Sequence, residues 1–299
     1  MRIVVTGADG QLGVELVPAL AAHGEVIGIT IADLDITDPD CADRVAALTP
    51  DCVVHTAAAT DVDGCEREPE RAMAVNAEGT RRVAEGCRRA GAGLVYLGTD
   101  YVFDGRKGAP YTEWDAPAPL NAYGRSKLEG EGAVRSLVSR WVIVRTAWLY
   151  GVHGKNFVKT IVGKAAAGEK LQVVDDQVGS PTYAADLARA VALLLSRGLS
   201  GVYHVTNGGS CSWYEFTREI LRLTGADTKC VSRISSEELG RRARRPAYSV
   251  LENAAWKAAG LPPLRPWPEA LADMLVTLKS ADLSTGRLRE SRKISPQTN

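Results

Sequence analysis

The first thirteen residues constrain everything that follows them. Arg2-Ile-Val-Val-Thr6 is a short β-branched run, and it stops at Gly7-Ala-Asp-Gly10-Gln-Leu-Gly13. From Gln11 to Ala22, apolar residues at 12, 16, 17, 20 and 21 recur at helical spacing. A G-x-x-G-x-x-G turn between a strand and a helix has a narrow physical use. Gly7 permits the tight turn, and Gly10 lets backbone approach a pyrophosphate. Gly13 lets the helix pack closely on the strand, while the helix N-terminus stabilises phosphate charge.

The alternation of strand and helix then repeats. Apolar runs at 25–30, 51–55, 93–98 and 141–145 read as strands, separated by helical periodicity over 41–48, 69–90 and 121–137. Strands divided by helix-length segments imply right-handed βαβ units. The expected fold is therefore α/β, a Rossmann-type doubly wound parallel sheet with a smaller C-terminal substrate-binding lobe. Residues 1–150 are assigned to the nucleotide-binding domain, its sheet completed by segments near 170–205. Residues 151–281 are assigned mainly to the lobe. There the pattern predicts helices over 154–168, 183–197 and 213–224 and strands at 170–174 and 201–205, while prolines 246, 262, 263, 266 and 268 predict only short elements. The polar stretch 282–299 reads as a disordered tail.

Composition narrows the partners. Lys plus Arg and Asp plus Glu both total 36, a balance that argues against a nucleic-acid or anionic-membrane surface. The densest basic run, Arg241, Arg242, Arg244 and Arg245, reads as a solvated loop or helix end. Neither the six cysteines nor the four histidines have metal-ligand spacing, so no metal site is assigned. No export signal or run of 18 apolar residues is present, which predicts a cytoplasmic protein with no membrane span.

The G-x-x-G-x-x-G spacing resembles that of the short-chain dehydrogenase/reductase superfamily, extended type. The resemblance demands a Tyr-x-x-x-Lys near residues 120–160, and Tyr123-Gly-Arg-Ser-Lys127 supplies it. A spacing of four puts both side chains on one helical face. Ketone reduction needs a proton donor to the developing alkoxide, and an unperturbed phenol of pKa about 10 is a poor acid–base partner at neutral pH. A neighbouring ammonium favours the phenolate and lowers that pKa. Lys127 can also bond a nicotinamide ribose. Thr99, 24 residues before Tyr123 and at a strand's carboxyl end, can donate to the carbonyl oxygen.

Residues 2 to about 280 resemble the dTDP-4-dehydrorhamnose reductase family. The matching segments include GADGQLG (7–13), GTDYVFDG (98–105), YGRSKLEGE (123–131) and VVDDQVGSPT (173–182). The resemblance implies reduction of the C4 ketone of dTDP-4-dehydro-L-rhamnose to dTDP-L-rhamnose by NADH or NADPH. It implies catalytic roles for Tyr123, Lys127 and Thr99. Cofactor contacts would come from Gly7, Gly10, Gln11 and Leu12 at the pyrophosphate, Asp35 and Ile36 by the adenine, and Ala57 and Ala58 along the cofactor path. Thr99, Asp100, Trp148 and Asn156 would meet the substrate, and Asn76 matches the superfamily's structural asparagine. Two departures stand out: Ala59 replaces a frequent aromatic or histidine, and Gly98 replaces the usual serine.

Thr30-Ile-Ala-Asp33-Leu-Asp35 carries no cation, which leans the expected cofactor toward NADH or dual use. Some relatives bind Mg²⁺ in connection with dimer formation; Glu15 is a carboxylate on the first helix, but no site is assigned to it. The expected partner is a small dTDP-sugar, with a monomer or homodimer as the assembly. Two alternatives stay open: a reductase of a different dTDP-4-keto-6-deoxysugar, and a non-catalytic regulatory subunit of the same fold, similar to the beta subunit of methionine adenosyltransferase.

Overall fold

A computed structural model describes residues 1–284. Six strands form the central sheet: β1 (Arg2–Thr6), β2 (Glu25–Ile29), β3 (Cys52–His55), β4 (Gly93–Thr99), β5 (Trp141–Thr146) and β6 (Gly201–His204). Their order is β6-β5-β4-β3-β1-β2 and every pairing is parallel. The reason is visible in the strands. Ile3 and Val5, Val54, Val95 and Leu97, Val142 and Val144 pack into one apolar cluster. The residues between them, Val4, Val53, Leu94, Tyr96 and Ile143, pack into another. A period-two strand that is apolar on both faces must be covered on both. Helices Gly13–Leu20 and Ala184–Ser196 cover the first face; Cys41–Ala47, Thr80–Ala90 and Ala122–Leu137 cover the second.

A third core belongs to the second lobe. Val158, Ile161, Phe216, Ile220, Leu271 and Met274 bring together helices Phe157–Ala166, Trp213–Thr224 and Trp267–Ser284. Leu171–Val174 pairs there with Val231–Ile234, in a separate two-stranded sheet. Of the segments expected to complete the central sheet near 170–205, only 201–204 does so.

Three other expectations are corrected. The helix expected over 69–90 is interrupted: Pro69–Met73 and Thr80–Ala90 are α-helical, while Ala74–Gly79 is a π-helical turn. Asn76 lies buried inside that turn, a kind of widened backbone frequent at functional sites. The prolines near 266–268 do not break the chain into short pieces. Pro268 is the second residue of the 18-residue helix Trp267–Ser284, where a missing N–H has no intrahelical role. That helix also takes in residues 282–284 of the segment read as a tail; the remainder of the tail lies outside the described residues. Among the described residues no helix is long and apolar enough to cross a membrane.

Candidate active site

Strand order reverses between β1 and β3, and the connections leaving their carboxyl ends run to opposite faces of the sheet, which leaves a crevice there. Gly7 sits at that point with φ +68°, and a Cβ on it would stand 2.9 Å from the Ala57 nitrogen. A Cβ on Gly13 would stand 2.2 Å from the Gly7 carbonyl oxygen. Neither position admits a side chain, so the turn presents bare backbone. Gly10, Gln11 and Leu12, with Thr56 and Ala58 from the loop after β3, line one end of a cavity of about 450 Å³. Gln11 Oε1 is buried there with no hydrogen-bond partner among the described residues.

The other end of the same cavity holds the chemistry. Thr99 and Asp100 reach it from the end of β4, and Tyr123 and Lys127 from the helix Ala122–Leu137. Asn121 starts that helix, its Oδ1 accepting from the Gly124 N–H at 2.8 Å. Gly124 permits close packing: a Cβ would lie 2.1 Å from the Tyr101 carbonyl oxygen. Tyr101 and Tyr123 meet edge to face at 5.9 Å.

Burial pushes the Tyr123 phenol well above its ordinary value, and a hydrogen bond with Thr99 draws it partly back. Lys127 is not among the groups that shift it, so the lowering expected from that ammonium is not found. Lys127 is only 4% exposed, its Nζ lies 4.2 Å from the centre of the Tyr96 ring, and burial pulls it down to about 7. Asp100 is buried; Thr99 Oγ1 donates to its Oδ1 at 3.2 Å, while Oδ2 has no partner among the described residues. Burial pushes Asp100 up to about 7.

Trp148 lines the cavity with backbone φ +46°, an unusual conformation for a bulky residue. It is held by stacking on Trp213 at 3.6 Å and by Gly179, where a Cβ would come within 2.4 Å of the indole. Asn156 also lines the cavity, but its side chain is engaged in holding the loop: Nδ2 donates to the Gly151 carbonyl at 2.7 Å and Oδ1 accepts from the Lys159 N–H. Beyond Trp213 and Tyr101 a second cavity of about 410 Å³ opens, walled by Phe157, Lys164, Lys170, Arg241 and Arg245.

The structure brings Gly10, Gln11, Leu12, Ala58, Thr99, Asp100, Tyr123, Lys127, Trp148 and Asn156 onto one cavity, with Gly7 shaping its floor. Ala57 packs against Gly7 rather than lining the wall. Asp35 and Ile36 are not brought to it. Asp35 accepts from the N–H and hydroxyl of Thr37, and Ile36 is buried in the core.

Several contributors lay beyond sequence reasoning. The basic run is only partly solvated: Arg245 and Arg241 bond Asp63 at 2.9 and 3.1 Å and face the second cavity. Lys155 and Trp213 line the first. The cation absent from 30–35 arrives from the next helix, where Arg44 donates to the Asp33 carbonyl. Asn76 bonds both polar groups of the Ala59 backbone, at 2.8 and 3.0 Å, so the Ala59 position is fixed through its backbone.

Residues 1–280 match the family described as the RmlD substrate binding domain. The chain belongs to that family. Its relatives include a dTDP-4-dehydrorhamnose reductase of Streptomyces griseus, 46% identical over 93% of this chain and 94% of that protein. A dTDP-4-keto-6-deoxy-D-glucose reductase of Streptomyces niveus is 43% identical over 93% of this chain and 98% of its own length. The solved dTDP-4-dehydrorhamnose reductase of Bacillus anthracis, in complex with NADP, superposes with a TM-score of 0.89. It is 40% identical and covers 92% of this chain and 99% of its own. The RmlD assignment spans the whole architecture, glycine turn and second lobe included.

Proposed function

We propose that this chain reduces the C4 ketone of dTDP-4-dehydro-L-rhamnose to dTDP-L-rhamnose with NADH or NADPH, Tyr123 being the proton donor. The observation that carries this reading is the convergence of Thr99, Tyr123 and Lys127 on one cavity whose other end is the bare glycine turn. The residues suit a dinucleotide. Gly7, Gly10 and Gly13 leave backbone free for a pyrophosphate at the helix N-terminus, the unpartnered Gln11 oxygen offers an acceptor, and Lys127 has donors free for a ribose. The nicotinamide, when bound, supplies hydride to the ketone carbon.

The chain's own residues manage the oxygen. The Thr99 hydroxyl, turning from Asp100, donates a hydrogen bond to the carbonyl, and that bond strengthens as charge develops. Burial keeps the Tyr123 phenol protonated at neutral pH, so it is loaded to donate its proton to that oxygen. The ammonium of Lys127 then stabilises the phenolate left behind. Trp148, fixed between Trp213 and Gly179, walls the sugar side, and the cations and aromatic rings of the second cavity suit a base and pyrophosphate.

The likeness to the Streptomyces niveus enzyme supports a second reading, in which the ketone belongs to a different dTDP-4-keto-6-deoxysugar. The purified protein is offered dTDP-4-dehydro-L-rhamnose and its epimeric ketosugars with each nicotinamide. Turnover fastest with 4-dehydrorhamnose supports the first reading. Turnover confined to a different ketosugar supports the second, and none with any overturns both.

A further inference from the structure

Beneath the active-site helix lies an ion pair closed off from solvent. Glu131 and Arg145 are each 1% exposed, joined by Arg145 Nε to Oε1 at 2.9 Å and Nη2 to Oε2 at 2.7 Å. Arg145 belongs to β5 and Glu131 to the helix Ala122–Leu137, so the pair pins helix to sheet. Glu131 follows Lys127 by four residues, as Lys127 follows Tyr123, which puts all three on one helical face. Gly98 on β4 makes the approach possible, since a Cβ there would stand 2.9 Å from Glu131 Oε1 and 3.1 Å from Arg145 Cγ.

Lys127 needs such a neighbour. Its ammonium is buried and accepted by no hydrogen-bonding group among the described residues, and it lies over the Tyr96 ring face. Burial favours the neutral amine, and the Glu131 carboxylate opposes that by its charge. We infer that Glu131, clamped by Arg145, is a positioning residue whose carboxylate favours the ammonium form of Lys127 below the active-site tyrosine. The inference deepens the proposed reductase chemistry and rests on it for its consequence.

The remaining groups around Lys127 are accounted for. His55 on β3 is held down to about 3 by burial and by Lys127 itself, and burial raises Tyr96 and Tyr123 far above neutrality, so none carries charge near pH 7. Arg135 lies 3.6 Å from Glu131 at the solvent side. Asp100 does titrate near 7 and faces Tyr123, so a rate profile alone would mix it with Lys127.

The test therefore reads the lysine directly. Lysine side chains labelled with ¹³C are titrated by NMR in the free protein, with Lys127→Arg assigning the resonance. The variants are Glu131→Asp, Glu131→Gln and the double Glu131→Met/Arg145→Met. The last removes both charges together, a replacement that buried ion pairs often tolerate without loss of stability. We expect the Lys127 midpoint to fall by about one pH unit or more in the Gln variant, where the Arg145 charge is left unopposed, and by a smaller amount in the double variant, where both charges go. Glu131→Asp should retain it, and the basic limb of kcat/KM should move with the midpoint. A folded Gln or double variant with an unmoved midpoint overturns the inference. Because the titration uses no substrate, a wrong sugar assignment would leave it readable.

Discussion

Asn76 donates its side-chain amide to Ser126 Oγ at 3.0 Å, across 50 residues of sequence. The same side chain brackets the backbone of Ala59, and Ser126 lies one residue before Lys127. One buried asparagine thus ties the loop after β3, on the cofactor side, to the helix that carries Tyr123. Asn76→Ala leaves the Ala59 N–H without a partner and its C=O with the Cys65 thiol alone, a loss of about 1–3 kcal/mol. Denaturant unfolding should show that loss, and kcat should fall with it.

Tyr123→Phe keeps the ring and its contact with Tyr101 while removing the proton. Turnover should drop by about a hundred- to ten-thousandfold, the range for losing a positioned acid. Cofactor affinity, measured by fluorescence quenching, should change little. A variant of undiminished kcat would exclude the tyrosine as donor.

Arg44 brings a guanidinium to the end of β2, where a ribose 2′-phosphate is accommodated in this fold. Arg44→Ala should raise KM for NADPH by roughly tenfold or more, as a lost charge-assisted bond implies, and leave that for NADH nearly constant. Equal effects on both cofactors would remove Arg44 from that role.

Asp100 and Lys127 predict opposite pH slopes in stability. Asp100 holds its proton to about 7 in the fold against an ordinary carboxyl value of 3.8, so the folded chain binds the extra proton between those values. Stability should therefore fall as pH rises through that window, and Asp100→Asn should flatten the decline. Lys127 is lowered to about 7 from 10.5, so from there upward the unfolded chain binds the extra proton and stability should rise. Unfolding midpoints from about pH 4.5 to 10 check both slopes.

The parts legible in sequence were those encoded locally. Gly7–Gly13 lies within one strand–turn–helix unit, and Tyr123 and Lys127 lie one helical turn apart. Periodicity read the strands because both of their faces are buried. What escaped depends on chain segments meeting from afar. Asp63 meets Arg241 and Arg245 across 178 and 182 residues, and Trp148, in a bend after β5, finds Trp213 at the start of a distant helix. The π-turn holds Asn76, whose side chain bonds Ala59 and Ser126, partners 17 and 50 residues away. The Asp35 carboxylate closes a turn by accepting from the Thr37 N–H and hydroxyl, a use that an expected place by an adenine did not include.

The return of Gly201–His204 to the edge of the sheet has a practical outcome for anyone cutting the protein. Expressed alone, residues 1–150 would end with β5 as an outermost strand, its row of N–H and C=O groups facing water. Such bare margins recruit further chains, so the shortened protein should self-associate unless a strand equivalent to 201–204 is supplied.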